Sequence, residues 1–477
     1  MCMESKIAEV AHVPAVERPY RQIAAAVVGN LIEWYDWYIY SLLAVYFAEQ
    51  YFPSDSEGSL VPLLAALGVF AVGFFMRPLG SLFLGRLGDR YGRKKALQTT
   101  VSLMGVGSLL IGLSPTYEQI GLLAPVILIV ARLLQGLSTG GEYGSASAFL
   151  VESAPQNRRG FFSSFFYLGA TAGNVAAVGS VALLSGILDQ AAMESWGWRV
   201  PFLIGAAASL CAIWIRRSSV ETLATSEAPS GRGAKAGMFD FVRQHPRQTL
   251  QVVGMQLGPS VAFYTWVVFL PTYAQITVGF DRAESIRIGL ISLIFFWAVV
   301  PLCGWASDKI GRKPFLYASS LAFTVGTVPL LGMLSNSFWS LLLVQCAGMA
   351  ALACFASIAS AVQAELFPAR IRVLGIGFPY ALTVAIFGGT GPYIATWLID
   401  SGRTSLFGWY IAALSAITFL TFVSMPETAA DHSRTDRDHC FQLCFGSDSR
   451  RRNDYLRPPR GPLRGRPRRR GCARRGR

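Results

Sequence analysis

The sequence predicts an all-α integral membrane protein with twelve transmembrane helices in two six-helix halves related by pseudo-twofold symmetry. Two observations lead to this fold class. Of the 477 residues, 52% are hydrophobic and 15% are charged, whereas about 25% of residues are charged in ordinary soluble domains. In addition, a glycine- and arginine-rich turn between two apolar runs occurs once in each half of the chain.

Twelve stretches are apolar and long enough to cross a membrane, since a spanning helix needs about 20 mostly apolar residues. We predict spanning helices at 22–47, 60–84, 96–113, 122–151, 163–187, 200–217, 250–278, 288–305, 315–335, 338–364, 372–398 and 405–425. No cleavable signal peptide is evident, because the first apolar run is too long for one and contains two carboxylates.

These runs divide the chain into domains. We expect a cytoplasmic N-terminal lead at 1–21, an N-terminal six-helix half at 22–217 and a C-terminal six-helix half at 250–427. Residues 218–249 are rich in Ser, Gly and Ala, so we predict a cytoplasmic linker there. Residues 428–477 are rich in Arg, Pro and Gly without apolar periodicity, and we predict a basic, disordered cytoplasmic tail. This tail has no heptads, so a coiled coil is not supported.

The repeated turn reads GRLGDRYGRKK at 85–95 and GWASDKIGRK at 304–313. Both copies follow the pattern G-x-x-x-D-[RK]-x-G-R-K, and each copy lies between two predicted spans. A tight, positively charged turn that recurs about half a chain later indicates a protein built from two repeats. Such a repeat in a membrane protein is typical of transporters.

Two carboxylates lie inside the first predicted span, within NLIEWYDWYIY at 30–40. Glu33 and Asp36 are three residues apart and therefore share a helix face, on which Tyr40 follows one turn later. A carboxylate in the membrane is costly unless it faces the bundle interior, a water-filled cavity or a cation. We expect at least one of the two to bind a proton, and the alternative is a structural pair with an arginine.

Two arginines lie deep in predicted spans. Arg77 precedes the turn at Gly85 by eight residues, which is about 12 Å along a helix, and it either binds an anion or pairs with a carboxylate of the first span. Arg132 and Gln135 share a helix face, and a guanidinium fork suits a carboxylate ligand. The alternative for Arg132 is a structural ion pair with Glu142 or with an acid of the first span.

A second charged turn is also repeated, as E-x-x-P-x-x-R-R at 152–159 and E-x-x-P-x-R-x-R at 365–372. These charges are expected at the membrane edge. We predict that Glu152, Arg159, Glu365 and Arg370 hold helices together there and take no part in chemistry.

The second half contributes two further features. The seventh predicted span has a polar and aromatic face made by Tyr264, Trp266, Tyr273 and Gln275. We predict that this face lines a cavity. The eleventh span is interrupted by Pro379, Gly388, Gly389, Gly391 and Pro392, and interrupted helices often line the pathway in transporters.

The distribution of positive charge predicts the orientation, because Lys and Arg in loops resist translocation. Most basic loop residues lie in the repeated turns and the linker, whereas the opposite loops hold Arg199, Arg282, Arg287 and Arg403. We therefore expect both termini in the cytoplasm. The net charge of +14 arises mainly from these cytoplasmic loops and the tail, so nucleic-acid binding is not expected.

The composition also argues against an enzyme. The eight Cys are scattered without C-x-x-C spacing, only four His are present, and there is no Ser/His/Asp set or phosphate-binding loop. We expect no metal site and no cofactor.

The repeated turns, the Arg132-x-x-Gln135-Gly136 stretch and the twelve spans resemble the major facilitator superfamily. Five strings between about 22 and 427 are similar to its metabolite:proton symporter family: NLIEWYD (30–36), MRPLG (76–80), GGEY (140–143), WGWR (196–199) and ELFP (365–368). ARLLQGLS (131–138) and AIFGG (385–389) resemble the branch that carries α-ketoglutarate. The osmoprotectant branch is also similar but has no arginine at the position of Arg132. The antiporter motif of the superfamily, G-x-x-x-G-P-x-x-G-G, is absent from span 5.

The resemblance implies proton-coupled uptake of a small organic acid, α-ketoglutarate or another dicarboxylate, by alternating access through a bacterial plasma membrane. The implied partners are the organic anion, the proton and membrane lipid, and we expect a monomer. The alternatives are a proton symporter of proline or betaine, a symporter of shikimate or another monocarboxylate, and an exporter on the same fold. A sensor that does not transport is a further alternative.

The resemblance also implies roles for individual residues. The implied substrate-binding residues are Arg77, Arg132, Gln135 and Tyr264. The implied proton-coupling residues are Glu33, Asp36 and Glu142. The implied conformational latch comprises Gly85, Asp89, Arg90, Gly92, Arg93, Glu152, Arg159, Asp308, Gly311, Arg312, Glu365 and Arg370.

Overall fold

The structure is a computed structural model that describes residues 19–54, 61–217 and 239–428. Twelve helices in these ranges correspond to the twelve predicted spans. They are α1 Pro19–Tyr51, α2 Val61–Tyr91, α3 Arg93–Leu113, α4 Leu123–Glu152, α5 Arg159–Ile187, α6 Arg199–Arg217, α7 Pro246–Val278, α8 Arg282–Ile310, α9 Lys313–Gly332, α10 Phe338–Leu366, α11 Ala369–Asp400 and α12 Ser405–Ser424. The predicted all-α membrane fold is confirmed.

Among the described residues, ten helices are long and apolar enough to cross a membrane, and a bent pair around α6 makes an eleventh candidate. The remaining predicted span is α1, a 33-residue helix that contains three carboxylates, Glu33, Asp36 and Glu49. Residues 1–18 of the predicted lead, 218–238 of the linker and 429–477 of the tail lie outside the described residues. The predicted domain boundaries therefore stay predictions.

Helix packing repeats between the two halves. In the first half α1 packs on α5, α2 on α4, and α3 on both α4 and α6. In the second half the equivalent pairs are α7 with α11, α8 with α10, and α9 with both α10 and α12. The halves meet along α2 with α11 and along α5 with α8. Because α8 corresponds to α2 and α5 to α11, exchanging the halves turns one of these contacts into the other, as pseudo-twofold symmetry requires.

A glycine ladder in α4 brings neighbouring helices close. A Cβ atom on Gly136 or Gly140 would collide with backbone atoms of α2, including the carbonyl oxygen of Arg77. A Cβ atom on Gly144 would meet the backbone of α11 at Val373. Glycines spaced four residues apart allow such close helix contacts. The ladder thus fixes α4 against both α2 and the opposite half.

Candidate functional site

A cavity of about 290 Å³ lies between the halves and is lined by α1, α2, α7 and α11. Aromatic rings form much of its wall, among them Trp34, Trp37, Phe74 and Tyr264. Arg77 is the charged residue among those that line it. The cavity therefore combines a largely aromatic wall with one cation.

Both second-half helices are distorted where they face the cavity. A π-helical segment runs over Tyr264–Phe269 in α7, and another runs over Val384–Gly388 in α11. Such segments inside α-helices are frequent at functional sites. The second segment coincides with part of the interruption that the sequence predicts in this span.

Arg77 is held at the cavity wall by residues of both halves. Its guanidinium carbon lies 3.9 Å from the ring centroid of Phe74 and 4.3 Å from that of Trp37. Its Nη1 donates a hydrogen bond to the hydroxyl of Tyr264 at 3.1 Å, and its Nε has no hydrogen-bond partner within the described residues. The structure thus brings together two of the predicted substrate-binding residues, Arg77 and Tyr264.

Arg132 and Gln135, the other two, do not line the cavity. Arg132 donates from Nη1 to the Oε1 atom of Gln135 at 2.7 Å. Gln135 donates from Nε2 to the hydroxyl of Ser108 at 3.1 Å, and Ser108 donates to the Oδ2 atom of Asp36. We call these four residues the relay. Each of them is 0% exposed.

Several atoms of the relay have no hydrogen-bond partner in the described part of the chain. They are Nε and Nη2 of Arg132 and Oδ1 of Asp36. A buried polar group left unsatisfied costs about 1–3 kcal/mol, and more when it is charged. The guanidinium carbon of Arg132 lies 3.5 Å from the ring centroid of Tyr40, which compensates in part through a cation–π contact. The relay is therefore a buried polar cluster whose hydrogen bonds are incomplete within the described residues.

Sequence reasoning missed Ser108. A single serine in an apolar helix carries little signal, since its hydroxyl often bonds to its own helix. The carbonyl oxygen of Met104, 3.2 Å from the hydroxyl oxygen of Ser108, is such an alternative acceptor. The neighbouring Gly107 is more informative in retrospect. A Cβ atom there would lie 2.6 Å from Cγ of Gln135, so the absent side chain makes room for the relay.

The other candidate acids lie elsewhere. Glu33 and Glu142 are both buried, but neither lines the cavity. Glu142 accepts a hydrogen bond from Thr100 on α3. Of the predicted polar face of α7, Tyr264 lines the cavity, whereas Trp266, Tyr273 and Gln275 do not. Trp266 donates to the carbonyl of Val344 at 3.1 Å, and Gln275 donates to Ser285 at 2.7 Å.

The repeated turns cap helices of the opposite half. Asp89 accepts hydrogen bonds from two consecutive backbone N–H groups that begin with Val373, at 3.0 and 2.9 Å. Asp308 accepts from two that begin with Gly160, at 2.8 and 2.9 Å. These donors belong to the first turns of the α-helical parts of α11 and α5, where the helix dipole favours negative charge.

Arginines tie the first of these turns to its surroundings. Arg93 forms ion pairs with Asp89 and with Glu152, both at 3.1 Å. Arg372, from the second half, also binds Glu152, at 2.7 Å. Gly92 has a φ of 103°, a backbone conformation that glycine adopts readily.

The second turn repeats this arrangement more loosely. Arg312 pairs with Asp308 at 2.8 Å. Arg312 and Arg159 each approach Glu365 at 3.8 Å. Gly311 has a φ of 108°, close to the value at its counterpart in the first turn.

The counterpart of Arg159 in this arrangement is Arg372, which our sequence analysis did not include among the latch residues. Arg159 follows Glu152 by seven residues, and Arg372 follows Glu365 by seven residues. This equal spacing within the two turns could have identified Arg372. The latch role of Arg370 stays a prediction. Arg90 is exposed and lies 5.1 Å from the ring centroid of Tyr91. A Cβ atom on Gly85 would lie 3.1 Å from Leu374 of α11.

Comparisons with known proteins identify the family. Residues 22–222 match the family model described as sugar (and other) transporter, and residues 284–467 match that of the major facilitator superfamily. The α-ketoglutarate permease of Escherichia coli (strain K12) is 38% identical over 401 residues, which cover 83% of this chain and 91% of that protein. The chain belongs to the major facilitator superfamily.

Other members of the superfamily support the same conclusion. The glycine betaine/proline/ectoine/pipecolic acid transporter OusA of Dickeya dadantii (strain 3937) is 33% identical over 421 residues, 86% of this chain and 83% of that protein. The solved structure of the proton:xylose symporter XylE bound to 6-bromo-6-deoxy-D-glucose matches with a TM-score of 0.71 over 87% of this chain and 97% of that chain, at 16% identity, and so shares the fold. This chain is therefore a multi-pass membrane transporter and not an enzyme.

Proposed function

We propose that this protein is a proton symporter that carries a small organic acid, α-ketoglutarate or another dicarboxylate, into the bacterial cell by alternating access. The position of Arg77 is the observation that carries the proposal, because its guanidinium stands at the wall of a cavity between the two halves. The name of the 38% identical α-ketoglutarate permease supports the choice of substrate. We further propose that the protein acts as a monomer in the plasma membrane.

The cavity and the repeated turns lie at different levels of the bundle. Arg77 and Gly85 are eight residues apart on α2, about 12 Å along the helix axis. Between the two levels, Tyr143 of α4 and Tyr380 of α11 stack with ring centroids 3.3 Å apart. The ion pairs around Glu152 then join the halves. If the turns are cytoplasmic, as the loop charges favour, this state is closed toward the cytoplasm.

In this proposal the substrate carboxylate binds first at Arg77. The Nε atom of Arg77 has no hydrogen-bond partner within the described residues, and a guanidinium binds a carboxylate through two parallel hydrogen bonds. The hydroxyl of Tyr264 is hydrogen-bonded to Arg77. A carboxylate bound to Arg77 would therefore also lie next to a residue of the second half. The site thus draws on both halves, which is what alternating access requires.

We assign the proton to Asp36. It is fully buried, hydrogen bonds through Ser108 and Gln135 join it to Arg132, and its Oδ1 has no hydrogen-bond partner within the described residues. Protonation removes its negative charge and releases the relay's hold on Arg132. Arg132 then becomes free to contact the substrate, which would reconcile its buried position here with the predicted substrate-binding role. Glu33 and Glu142 serve as alternatives for the proton site.

We also propose that the repeated turns act as latches. The carboxylates of Asp89 and Asp308 cap helices of the opposite half, so both caps must break when the cytoplasmic side opens. Breaking them exposes two helix N-termini and two buried carboxylates at once. The turns therefore stabilise the state that is closed toward the cytoplasm.

A second candidate function is proton symport of a zwitterionic osmolyte such as betaine. The aromatic wall of the cavity favours it, since aromatic rings bind quaternary ammonium groups. Arg77 would then bind the single carboxylate of the osmolyte. The 33% identical OusA, whose name includes glycine betaine, supports this alternative.

Uptake into vesicles containing the purified full chain tests the proposal. Labelled α-ketoglutarate should accumulate when the outside is made acidic, and unlabelled dicarboxylates should compete while betaine and proline should not. Competition by betaine or proline alone would favour the osmolyte. Uptake that is indifferent to the imposed pH gradient would contradict proton symport.

A further inference from the structure

Trp37 contacts both buried arginines of the first half. The guanidinium carbon of Arg77 lies 4.3 Å from its ring centroid and that of Arg132 lies 5.3 Å away. Trp37 and Arg77 line the cavity, whereas Arg132 does not. The indole ring is therefore part of the wall that separates the cavity from the relay.

The ring of Trp37 is fixed in place by its surroundings. Its Nε1 donates a hydrogen bond to the hydroxyl of Thr139 on α4 at 2.6 Å. The rings of Phe70 and Phe74 pack against it edge to face, with centroids 5.1 and 4.9 Å away. A Cβ atom on Gly73 would lie 2.8 Å from its Cη2 atom, so a glycine stands where the ring needs space. In this state Trp37 is therefore held in place next to both cations.

We infer that Trp37 is the positioning residue that couples substrate binding at Arg77 to protonation of Asp36. This inference rests on the proposed function and deepens it. A nearby cation favours the ionised form of a carboxylate. The relay joins Arg132 to Asp36, and Arg77 contacts the same indole ring as Arg132. A substrate carboxylate that neutralises Arg77 removes part of this effect, so proton binding to Asp36 becomes more favourable. By linkage, a proton on Asp36 favours substrate binding to the same extent.

Trp37 supports this coupling in two ways. Cation–π contacts hold both guanidinium groups next to one ring, which keeps their separation short. The bulky indole also keeps water out of the space between them, and charges interact more strongly where water is excluded. A smaller side chain would loosen both arginines and admit water. The charge of the substrate would then have a smaller effect on proton binding to Asp36.

Several ionisable groups surround Asp36 and its arginine partner within the described residues. They include Arg132 of α4, Arg77 of α2, and Glu33, Tyr35 and Tyr40 of α1. The neighbouring helices α3 and α6 present Ser108 and Gly205 to its carboxylate. Both of these are neutral, so Arg77 is the cation that a substrate in the cavity can reach.

Calorimetric titration tests the inference. α-Ketoglutarate is titrated into the purified full chain in two buffers of different ionisation enthalpy, which gives the number of protons taken up per substrate bound. Wild-type protein should take up a proton with the substrate. Trp37→Leu should still bind, with proton uptake lowered by about half or more because the coupling free energy is reduced. Trp37→Phe keeps an aromatic ring but loses the hydrogen bond to Thr139, so its proton uptake should lie between those of Trp37→Leu and wild type.

Trp34→Leu is the matched control. Trp34 also lines the cavity, but its ring contacts are with Tyr38 and Phe263. This variant should bind α-ketoglutarate with a changed affinity and an unchanged proton count. An equal loss of proton uptake in Trp34→Leu and Trp37→Leu would overturn the inference, because the effect would then not depend on contact with the arginines.

Proton uptake by Trp37→Leu equal to that of wild type also overturns the inference. If Trp37→Leu does not fold, Thr139→Val removes only the hydrogen bond to the indole, and an unchanged proton count in a folded Thr139→Val protein overturns it as well. Wild-type protein that binds the acid without taking up a proton contradicts the proposed symport and removes the basis of this inference with it. The two failures can be told apart. The inference about Trp37 fails only if wild-type protein takes up a proton and the variants do as well, whereas the proposed symport fails if wild-type protein takes up none.

Discussion

Arg372 of the second half donates to Glu152 of the first half at 2.7 Å. Its counterpart, Arg159, approaches Glu365 at 3.8 Å and is 34% exposed. The two ends of the pseudo-twofold interface are therefore built from the same residue types but closed to different extents. This difference predicts unequal consequences when either pair is broken.

Arg372→Ala should shift the protein toward the state open to the cytoplasm more than Arg159→Ala does. A hydrogen bond to a charged group is worth about 1.5–3 kcal/mol, and each 1.4 kcal/mol changes a population ratio about tenfold. The pair of Arg159 is longer and its arginine is partly exposed, so it should be worth less, closer to the about 0–1 kcal/mol of surface ion pairs. Distances between spin labels placed on the turns at 85–95 and 304–313 measure the shift. Equal shifts in the two variants would contradict the geometry.

Arg77→Ala should raise the KM for α-ketoglutarate by about tenfold to a hundredfold, because charge-assisted hydrogen bonds to the substrate are lost. Arg243→Ala is the matched control, since Arg243 is exposed, lies outside the repeated turns and does not line the cavity. Initial uptake rates at varied substrate concentration provide the measurement. A normal KM in Arg77→Ala would remove this residue from the substrate site.

Gly107→Ala should disturb the relay without changing a polar group. Its new methyl group would sit 2.6 Å from Cγ of Gln135, and overpacking of this kind costs about 1–3 kcal/mol. We expect weaker proton dependence of uptake together with a lower melting temperature. Gly179→Ala is the control, because no atom lies within 4 Å of a Cβ atom built there. Unchanged proton dependence in a destabilised Gly107→Ala would argue against the relay.

Much of the architecture followed from the sequence. Twelve apolar runs and two matching turns sufficed to predict the spans and the repeat, since both are local patterns. The depth of Arg77 likewise followed from its distance to Gly85 along one helix. Local patterns also place Glu33 and Asp36 on one face, but they do not say which neighbouring helix that face meets.

The division between cavity and relay did not follow from the sequence. Arg132 and Gln135 lie on one face as predicted, yet Trp37 of another helix stands between Arg132 and the cavity. That placement depends on how closely α1, α2 and α4 approach, which glycines such as Gly73 determine. A glycine in a helix indicates that another group approaches closely, but the sequence does not show which residue that group belongs to.

The proton role of Asp36 is the central claim, and Asp36→Asn in vesicles tests it most directly. Asparagine has nearly the same shape but cannot exchange a proton near neutral pH. Asp36→Asn should still exchange labelled for unlabelled α-ketoglutarate across the membrane, and it should fail to accumulate the acid when only a pH gradient is imposed. Accumulation by Asp36→Asn equal to that of wild type under the same gradient would contradict the account.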